Sequence, residues 1–323
     1  MNNLLSKPTT LYVIGNGFDQ HHDIQCSYIN FRDWMKDNYR DVYNNFLRIY
    51  GICTDDWWST FEENLTNFNP DIYPNEIAGN TFFKIKKYLE EHYGQDGTDA
   101  IDRFEMANPE GVTNHYQLVA AVARFEMQHL KDDLYEAFGD WVKSLTIPDK
   151  DKIIKDIDTE AMFLTFNYTK TLEDLYGVDD DHVLHIHGSV DRGDFVIGHN
   201  MTAEAMIDRD LEKHALERNP EEDKGEDEAR LELFDVIADE LKKPVDDLIV
   251  VNRHYFNSLE GLKKLIVLGF SYSKIDLPYL KEIFDVAGKD IIVKFGWHTP
   301  KDKNNAETFK KEMGLTKCKL VYF

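Results

Sequence analysis

Four stretches of this sequence end an apolar run with small or polar residues that could bind a ligand or take part in catalysis. They are Gly15-Asn16-Gly17, Asn167-Tyr168-Thr169, His187-Gly188 and Gly269-Phe270-Ser271. If the apolar runs are parallel strands, their carboxyl ends meet along one edge of a sheet, which is where open α/β sheets bind ligands. The four ends together therefore predict one polar crevice that holds a ligand.

The first of these stretches has features of a phosphate-binding turn. Its two glycines let the backbone turn sharply and approach a ligand without a Cβ in the way. If a helix follows, the first free N–H groups, from Gly15 to Phe18, favour negative charge. The third spaced glycine of the full dinucleotide fingerprint is absent, so a plain strand and turn stays open as an alternative.

The elements that must position these residues alternate between strands and helices. The strands are predicted at 9–15, 161–166, 183–187, 195–197, 264–269, 291–295 and 319–323. Strand one is apolar on both faces, which is typical of a central strand in a parallel sheet. This alternation predicts an α/β fold with a parallel sheet.

The region from about 20 to 145 is predicted to be mostly helical and to lie between strands one and two. Ser27 and Thr54 are predicted to begin helices, and Pro74 to open another that reaches about Tyr93. Residues 94–113 are predicted as a loop, and 114–145 as the longest helix. The acidic run Glu217–Glu228 is predicted to be a loop or a solvated helix end.

These elements predict two parts of the chain. Residues 1–20 and 150–323 form the α/β nucleotide-binding domain, and residues 21–149 form an inserted helical subdomain. Late in the chain, Pro300 is predicted to open a helix that Gly314 closes.

Charge and composition limit the function classes. Of the 323 residues, 42% are hydrophobic and 13% aromatic, so most of the chain is expected to fold. The formal net charge is −23, whereas a surface that tracks phosphates along DNA or RNA needs positive charge. General nucleic-acid binding is therefore not expected.

Cysteine usage and hydropathy indicate a cytoplasmic protein without a membrane span. The three cysteines, Cys26, Cys53 and Cys318, are far apart and have no paired metal spacing. No apolar run approaches the roughly 18 residues that a span needs, and no signal-peptide pattern is present.

The motifs together resemble a known family. Gly15-Asn16-Gly17-Phe18-Asp19, Trp58-x-x-Phe61-Glu62, Phe166-Asn167-Tyr168-Thr169 and His185-Ile186-His187-Gly188 are similar to motifs of the AbiH abortive-infection family of bacterial anti-phage proteins. Gly269-Phe270-Ser271 with Asp276 fits the same pattern. AbiH proteins in turn resemble the sirtuin-like NAD-binding fold, which implies a Rossmann-like, doubly wound domain with a large helical insertion after strand one.

What this resemblance implies is a site for NAD as substrate or ligand. The turn at 15–18, with Asp19 beside it, would hold the pyrophosphate, and Asn167 would orient the attacking water or a ribose hydroxyl. His187 would act as general base, because an unperturbed histidine titrates near neutral pH. Ser271 would bind phosphate or ribose. The remaining predicted nucleotide contacts are Thr169, Gly188 and Gly269.

Departures from the sirtuin-like pattern shape this expectation. Asp19 puts a negative charge near the presumed phosphate, and Thr169 stands where the pattern has an acid. The four zinc cysteines of protein deacylases are absent, so the sirtuin-like NAD hydrolases of phage defence are the nearer comparison. No metal is predicted.

Each candidate residue also has a structural alternative. Asn167 could cap a following helix, Asp19 could be a helix N-cap, and His187 could be a core histidine. Glu62 is either a carboxylate with a raised pKa or an ion-pair partner. The pair His185 and His187 could bind a metal with His199 or His21, although no standard ligand spacing supports this.

The expected function is therefore an anti-phage protein that binds NAD or a related nucleotide and hydrolyses it on infection. Constant activity would be toxic, so a phage-derived trigger and an inhibited resting state are expected, in a homo-oligomer. A non-catalytic nucleotide-sensing module that engages a partner is one alternative. A metal-dependent nuclease that uses Asp19, Glu62 and Asp276 is another.

Overall fold

The fold is taken from a computed structural model that describes residues 8–51, 53–67, 82–107, 115–148, 153–214, 234–236 and 238–323. The strands are β1 (Thr10–Ile14), β2 (Met162–Thr165), β3 (Val183–His185), β4 (Lys264–Leu268), β5 (Ile292–Trp297) and β6 (Cys318–Tyr322). The helices before β2 are α1 (Asn16–His21), α2 (Tyr28–Asn38), α3 (Arg40–Tyr50), α4 (Asp55–Ser59), α5 (Phe61–Asn64), α6 (Phe82–Ala107) and α7 (His115–Ser144). The later helices are α8 (Thr171–Tyr176), α9 (Ala203–His214), α10 (Val245–Val251), α11 (Arg253–Ser258), α12 (Leu277–Ala287) and α13 (Pro300–Met313), and Asp180–His182 forms a 3₁₀ turn.

The six strands form one open sheet in which every pairing is parallel. Their order is β3-β2-β1-β4-β5-β6, so the chain moves outward from β1 on one side and returns to β4 on the other. This is the order of a Rossmann-like, doubly wound fold, whose ligand crevice lies where the strand order reverses, here between β1 and β4. The α/β prediction is confirmed, and the sheet is wholly parallel.

Strand β1 is central because both of its faces are apolar. Leu11 and Val13 pack on one face with residues of α10, α11, α12 and α13. Tyr12 and Ile14 pack on the other face with residues of α1 and α8. Successive side chains of a strand point to opposite faces, so a strand buried on both faces needs an apolar residue at every position.

Several helix ends follow the capping residues predicted from the sequence. The Ser27 hydroxyl accepts from the backbone N–H of Asn30 at 3.2 Å, at the start of α2. The Thr54 hydroxyl accepts from Trp57 N at the start of α4. Helix α13 begins at Pro300 and ends before Gly314, which has φ +67°. A side-chain acceptor at the first turn satisfies an N–H that the helix itself leaves without a partner.

Two element predictions were wrong. Residues 94–107 of the loop predicted at 94–113 are helical, because only Gly94 leaves the helical conformation and α6 continues past that kink. Residues 108–113 lie outside the described residues. A Cβ on Gly97 would lie 2.3 Å from Leu89 O, so this glycine allows close packing across the kink. The strand predicted at 195–197 is absent from the structure; there, Val196 N donates to His187 O at 2.9 Å and Val196 O accepts from the Tyr168 hydroxyl.

The described residues form two compact units. One comprises Met1–Met35, Ala137–Ile197 and Lys243–Phe323 and contains all six strands. The other comprises Lys36–Glu136 and Gly198–Lys242. The domain division predicted from the sequence, at 20/21 and 149/150, stays a prediction. Predictions for Pro74 and for Glu217–Glu228 lie outside the described residues.

The second unit has an aromatic cluster of its own. Phe46, Trp58 and Phe61 are fully buried, with the rings of Trp58 and Phe61 stacked at 5.1 Å. The side chains of Arg48 and Glu126 form an ion pair at 3.1 Å in the same unit. The Trp58-x-x-Phe61 motif thus serves the core of this unit.

None of the helices in the described ranges combines the length and the apolar character that crossing a bilayer requires.

Candidate functional site

The turn after β1 lies directly against the end of β4. Gly15 N donates to Leu268 O at 2.9 Å, and Gly17 N donates to Gly269 O at 2.8 Å. A Cβ on Gly15 would lie 2.6 Å from Gly269 O, and one on Gly17 would lie 2.9 Å from Gly269 Cα. These glycines are therefore required by the approach of two backbones at the reversal point of the sheet.

This packing also uses the N–H groups predicted to hold phosphate. Besides the bonds of Gly15 and Gly17, Phe18 N donates to Gly15 O at 2.9 Å. The Phe18 side chain is fully buried in the core, and the exposed Asn16 donates from Nδ2 to Cys26 O at 3.1 Å. The phosphate-binding role of this turn stays a prediction, and the N–H groups of Gly15, Gly17 and Phe18 would have to leave these acceptors to fulfil it.

Asp19 is a buried carboxylate with a hydrogen bond to only one of its two oxygens among the described residues. It is 1% exposed, and its Oδ2 accepts from the Thr169 hydroxyl at 2.5 Å. The Oδ1 atom is buried and has no hydrogen-bond partner among the described residues. Asp19 is not the N-cap of α1, because Gly15 occupies that position.

The environment of Asp19 moves its pKa toward neutral pH. Burial raises the pKa of this carboxyl from 3.8 to about 6, while Thr169, Thr171, Asn167 and the charge of His185 act in the opposite direction. Desolvation is the dominant effect because a buried carboxylate loses the water that stabilises its charge. A carboxyl with such a pKa can exchange a proton near physiological pH.

Asn167 follows β2, and both polar atoms of its buried side chain have no hydrogen-bond partner among the described residues. It is 5% exposed, and the amide lies near enough to Asp19 to lower its pKa. Its backbone N donates to Thr165 Oγ1 at 3.1 Å, which fixes the chain at this strand end. Lys170, not Asn167, is the N-cap of α8. Buried polar atoms without partners cost about 1–3 kcal/mol each, so a ligand or water that bonded to this amide would be bound favourably.

His185 links Asn167 to an acid that the sequence interpretation missed. Its Nδ1 donates to Asn167 O at 2.9 Å, and its Nε2 lies 2.8 Å from Glu173 Oε1. Because Nδ1 must carry a proton to donate, the contact between Nε2 and Glu173 requires a further shared proton. Nothing in the local sequence distinguishes Glu173 from other helical acids.

His187 lies in a separate polar cluster within the same unit. Its Nε2 is 3.3 Å from the Tyr279 hydroxyl and 3.7 Å from Asp276 Oδ1, and the Lys243 ammonium is 3.5 Å from the same Asp276 oxygen. Burial and the charge of Lys243 hold the pKa of His187 well below its ordinary value of 6.5. The ring is therefore neutral at physiological pH. Lys243, which is 2% exposed, was not predicted from the sequence as a site residue.

The remaining predicted site residues lie at the other strand ends. Gly188 has φ +87°, and a Cβ there would lie 2.2 Å from Asp194 O, so it forms a tight turn. Ser271 is exposed, and its backbone O accepts from Asn305 Nδ2 at 3.1 Å. The structure thus brings Asp19, Asn167 and Thr169 together, while His187 belongs to the cluster with Tyr279.

The histidine metal site and the metal-dependent nuclease would both need several ligands close together. Among the described residues, no group of three or more His, Cys, Asp or Glu side chains is placed to hold a metal ion. Glu62 accepts from the backbone N–H of Gly198 at 3.2 Å, as a structural carboxylate does.

The raised pKa of Asp19 predicts a pH-dependent stability. A carboxyl with a higher pKa in the folded than in the unfolded state stabilises the fold when protonated, and this contribution is lost as the pH rises from 3.8 through about 6. Asparagine does not titrate, so Asp19→Asn should not lose this stability. Relative to wild type, its free energy of unfolding should rise by about 3 kcal/mol between pH 3.8 and about 6. Urea unfolding at several pH values measures the difference. Asp285→Asn, at an exposed position of α12, is the control, and equal pH profiles for wild type and Asp19→Asn would contradict the prediction.

Comparison with known proteins gives one family. A model of the family described as "Bacteriophage abortive infection AbiH" matches residues 11–297. No curated protein and no solved structure gave a significant match to the chain.

Proposed function

This chain belongs to the AbiH family of bacteriophage abortive-infection proteins, and we propose that it acts by binding NAD or a related nucleotide and hydrolysing it on infection. Family membership rests on a match that spans most of the chain. It implies a role in abortive infection, in which an infected cell stops supporting the phage. The nucleotide chemistry is the proposed part.

The observation that carries this proposal is the pair of buried polar groups beside the reversal point of a Rossmann-like sheet. Asn167 leaves both side-chain atoms without partners, and Asp19 leaves Oδ1 without one, in the described part of the chain. Phe166 N donates to Ile14 O at 2.9 Å, so the end of β2 lies beside the end of β1, next to the β1–β4 junction. Folds with this strand order bind nucleotides at that edge, and the unpartnered groups would be satisfied by a sugar hydroxyl or a water.

The proposed reaction cleaves the bond between nicotinamide and ribose. Positive charge develops at the anomeric carbon as nicotinamide leaves, so a nearby carboxylate and a positioned water both favour the transition state. Asn167 is proposed to orient that water or a ribose hydroxyl. His187 and Asp19 are the two candidates for accepting the proton of the water. The other proposed nucleotide contacts are Thr169, Gly188, Gly269 and Ser271.

Burial of the site agrees with an enzyme that is silent until infection. Asp19 and Asn167 are 1% and 5% exposed, so in this structure neither is open to solvent. We include a phage-derived trigger and a homo-oligomeric state in the same proposal. The sirtuin-like order of the motifs supports the choice of NAD among nucleotides.

The test is the NAD content of cells that express the intact protein, with and without phage. The expected result is a severalfold fall in NAD that occurs only in infected cells with the protein, and the empty vector is the control. Protection against phage with an unchanged NAD level would contradict the hydrolase proposal.

A second candidate function is nucleotide sensing without turnover. Thr169 stands where the sirtuin-like hydrolase pattern has an acid, and Asp19 puts a carboxyl near the presumed phosphate. Both departures favour binding without turnover. Tight NAD binding to the purified protein, with no nicotinamide release before or after infection, would select this function.

A further inference from the structure

The two oxygens of Asp19 have different surroundings. Thr169 donates to Oδ2, and the Thr169 hydroxyl also contacts that of Thr171 at 3.0 Å, so the carboxylate is fixed in one orientation. Its Oδ1 and the Asn167 amide are both buried and without hydrogen-bond partners in the described part of the chain. A carboxylate held by one oxygen and free at the other is prepared to accept a proton from a third group.

We propose that Asp19 is the general base of the reaction and that Asn167 holds the water whose proton Asp19 accepts. This inference rests on the proposed function and names a residue for its chemical step. The Asn167 Nδ2 can donate to the water oxygen, while the water donates to Asp19 Oδ1. The amide thereby orients the lone pair of the water toward the substrate.

His187 is less suited to this role. Its Nε2 already faces the Tyr279 hydroxyl at 3.3 Å and Asp276 at 3.7 Å. The Lys243 ammonium lies at 3.5 Å from that aspartate, and its charge together with burial lowers the pKa of His187. A proton on this ring is therefore disfavoured, whereas a buried carboxyl gains in basicity.

The groups that face Asp19 come from several elements. Thr169, just before α8, donates to Oδ2. Thr171 at the start of α8, the Asn167 amide after β2 and the charge of His185 from β3 also lower the pKa of Asp19. Cys26, in the segment after α1, has its thiol pKa raised by burial and by the charge of Asp19. The other titratable partner nearby is Glu173, which pairs with His185. Burial outweighs the others, so the pKa of Asp19 is about 6.

The chemical step balances with water as the only co-reactant. The water oxygen forms a bond to the anomeric carbon of the ribose, and its proton passes to Asp19 Oδ1. The bond from that carbon to the pyridinium nitrogen breaks, and its electron pair neutralises the nitrogen, so nicotinamide leaves uncharged. Asp19 then releases the proton to solvent, and the products are ADP-ribose and nicotinamide.

Substrate must reach a carboxylate that is 1% exposed. The segment 22–27 packs on Asp19, because Ile24 N donates to Asp19 O at 3.1 Å and Cys26 lies within electrostatic range. The segment also contacts the turn after β1, because Asn16 Nδ2 donates to Cys26 O at 3.1 Å and Cys26 Sγ donates to Asn16 O at 3.8 Å. Displacement of this segment is therefore part of the proposed activation.

The experiment compares pH profiles of NAD hydrolysis by full-length protein purified from infected cells. For wild type, kcat/KM should fall on the acid side of pH 6, where Asp19 becomes protonated. Asp19→Asn should lose about 10²–10⁴-fold in kcat/KM and no longer show this acid limb, while its affinity for NAD by calorimetry changes little. His187→Gln should keep the limb, and Asp285→Asn, at an exposed position of α12, should match wild type.

A second variant tests the same carboxyl while leaving it in place. Thr169→Val removes a hydrogen bond that lowers the pKa of Asp19, so the acid limb should move to higher pH. Wild-type turnover that survives in Asp19→Asn, or a limb lost in His187→Gln instead, would overturn the assignment of Asp19 and leave the hydrolase function standing. Absence of NAD turnover by wild type would overturn both.

Discussion

Replacing Asn167 with alanine should abolish the infection-dependent loss of NAD and reduce turnover about 10²–10³-fold. The amide is the group proposed to position the attacking water, and alanine can neither donate nor accept. Stability should change little, because alanine also removes two buried polar atoms that have no partner among the described residues. Nicotinamide release and the thermal midpoint, measured on the same preparation, test both parts.

Asn64 in the second unit offers the matched control, because its amide is fully used. Its Nδ2 donates to Trp57 O and to Thr60 Oγ1, both at 2.8 Å. Asn64→Ala should therefore cost about 1–2 kcal/mol of stability and leave kcat unchanged. If the Asn167 variant instead loses stability and keeps its turnover, the amide is structural and the proposed site is wrong.

The sheet could be predicted from the sequence because each strand carries its own signal. Runs such as Thr10–Ile14 and Lys264–Leu268 are apolar at successive positions. A short continuous apolar run is the pattern of a strand that is buried on both faces of a parallel sheet. Helix ends at Ser27 and Thr54 were predictable for the same reason, because the cap lies within one turn of the residues it serves. The loop predicted from residue 94 was wrong because glycine is favoured both in loops and at a helix kink, and Gly94 forms a kink.

The candidate site was predictable only in part. Asn167 could be found from its place at a strand end, whereas the environment of Asp19 depends on Thr169, which lies 150 residues away. The contact of Lys243 with Asp276 likewise joins two chain segments that meet only after folding. Side-chain type indicates which groups can do chemistry, but their pKa values follow from tertiary packing.

The glycines after β1 show a further limit. Two glycines predict that something approaches the backbone closely, and the sequence interpretation took a phosphate as that partner. In the structure the partner is the end of β4, at 2.8 Å between Gly17 N and Gly269 O. Glycine permits close approach of a phosphate and of another backbone equally well. Only the topology, which places β4 beside β1, shows that the β4 backbone is the partner.

Gly269→Ala should therefore be among the most damaging single substitutions in the chain. This residue has φ +64°, and an added Cβ would lie 2.1 Å from Phe18 N, which is backbone and cannot rotate away. The strand ends must separate, which breaks the hydrogen bond from Gly17 N to Gly269 O, so we expect a loss of about 3–5 kcal/mol. Turnover should fall as well, since the turn that moves carries Asp19.

Gly314→Ala isolates the contribution of the clash. Gly314 has nearly the same φ, +67°, but a Cβ there would meet nothing within 4 Å. It should cost only the strain of a left-handed alanine, about 1–2 kcal/mol, and leave NAD turnover intact. Thermal unfolding of the two variants measures the difference directly. Equal losses would mean that the ends of β1 and β4 are not in backbone contact, and the geometry of the whole candidate site would have to be revised, because Asp19 is positioned by that contact.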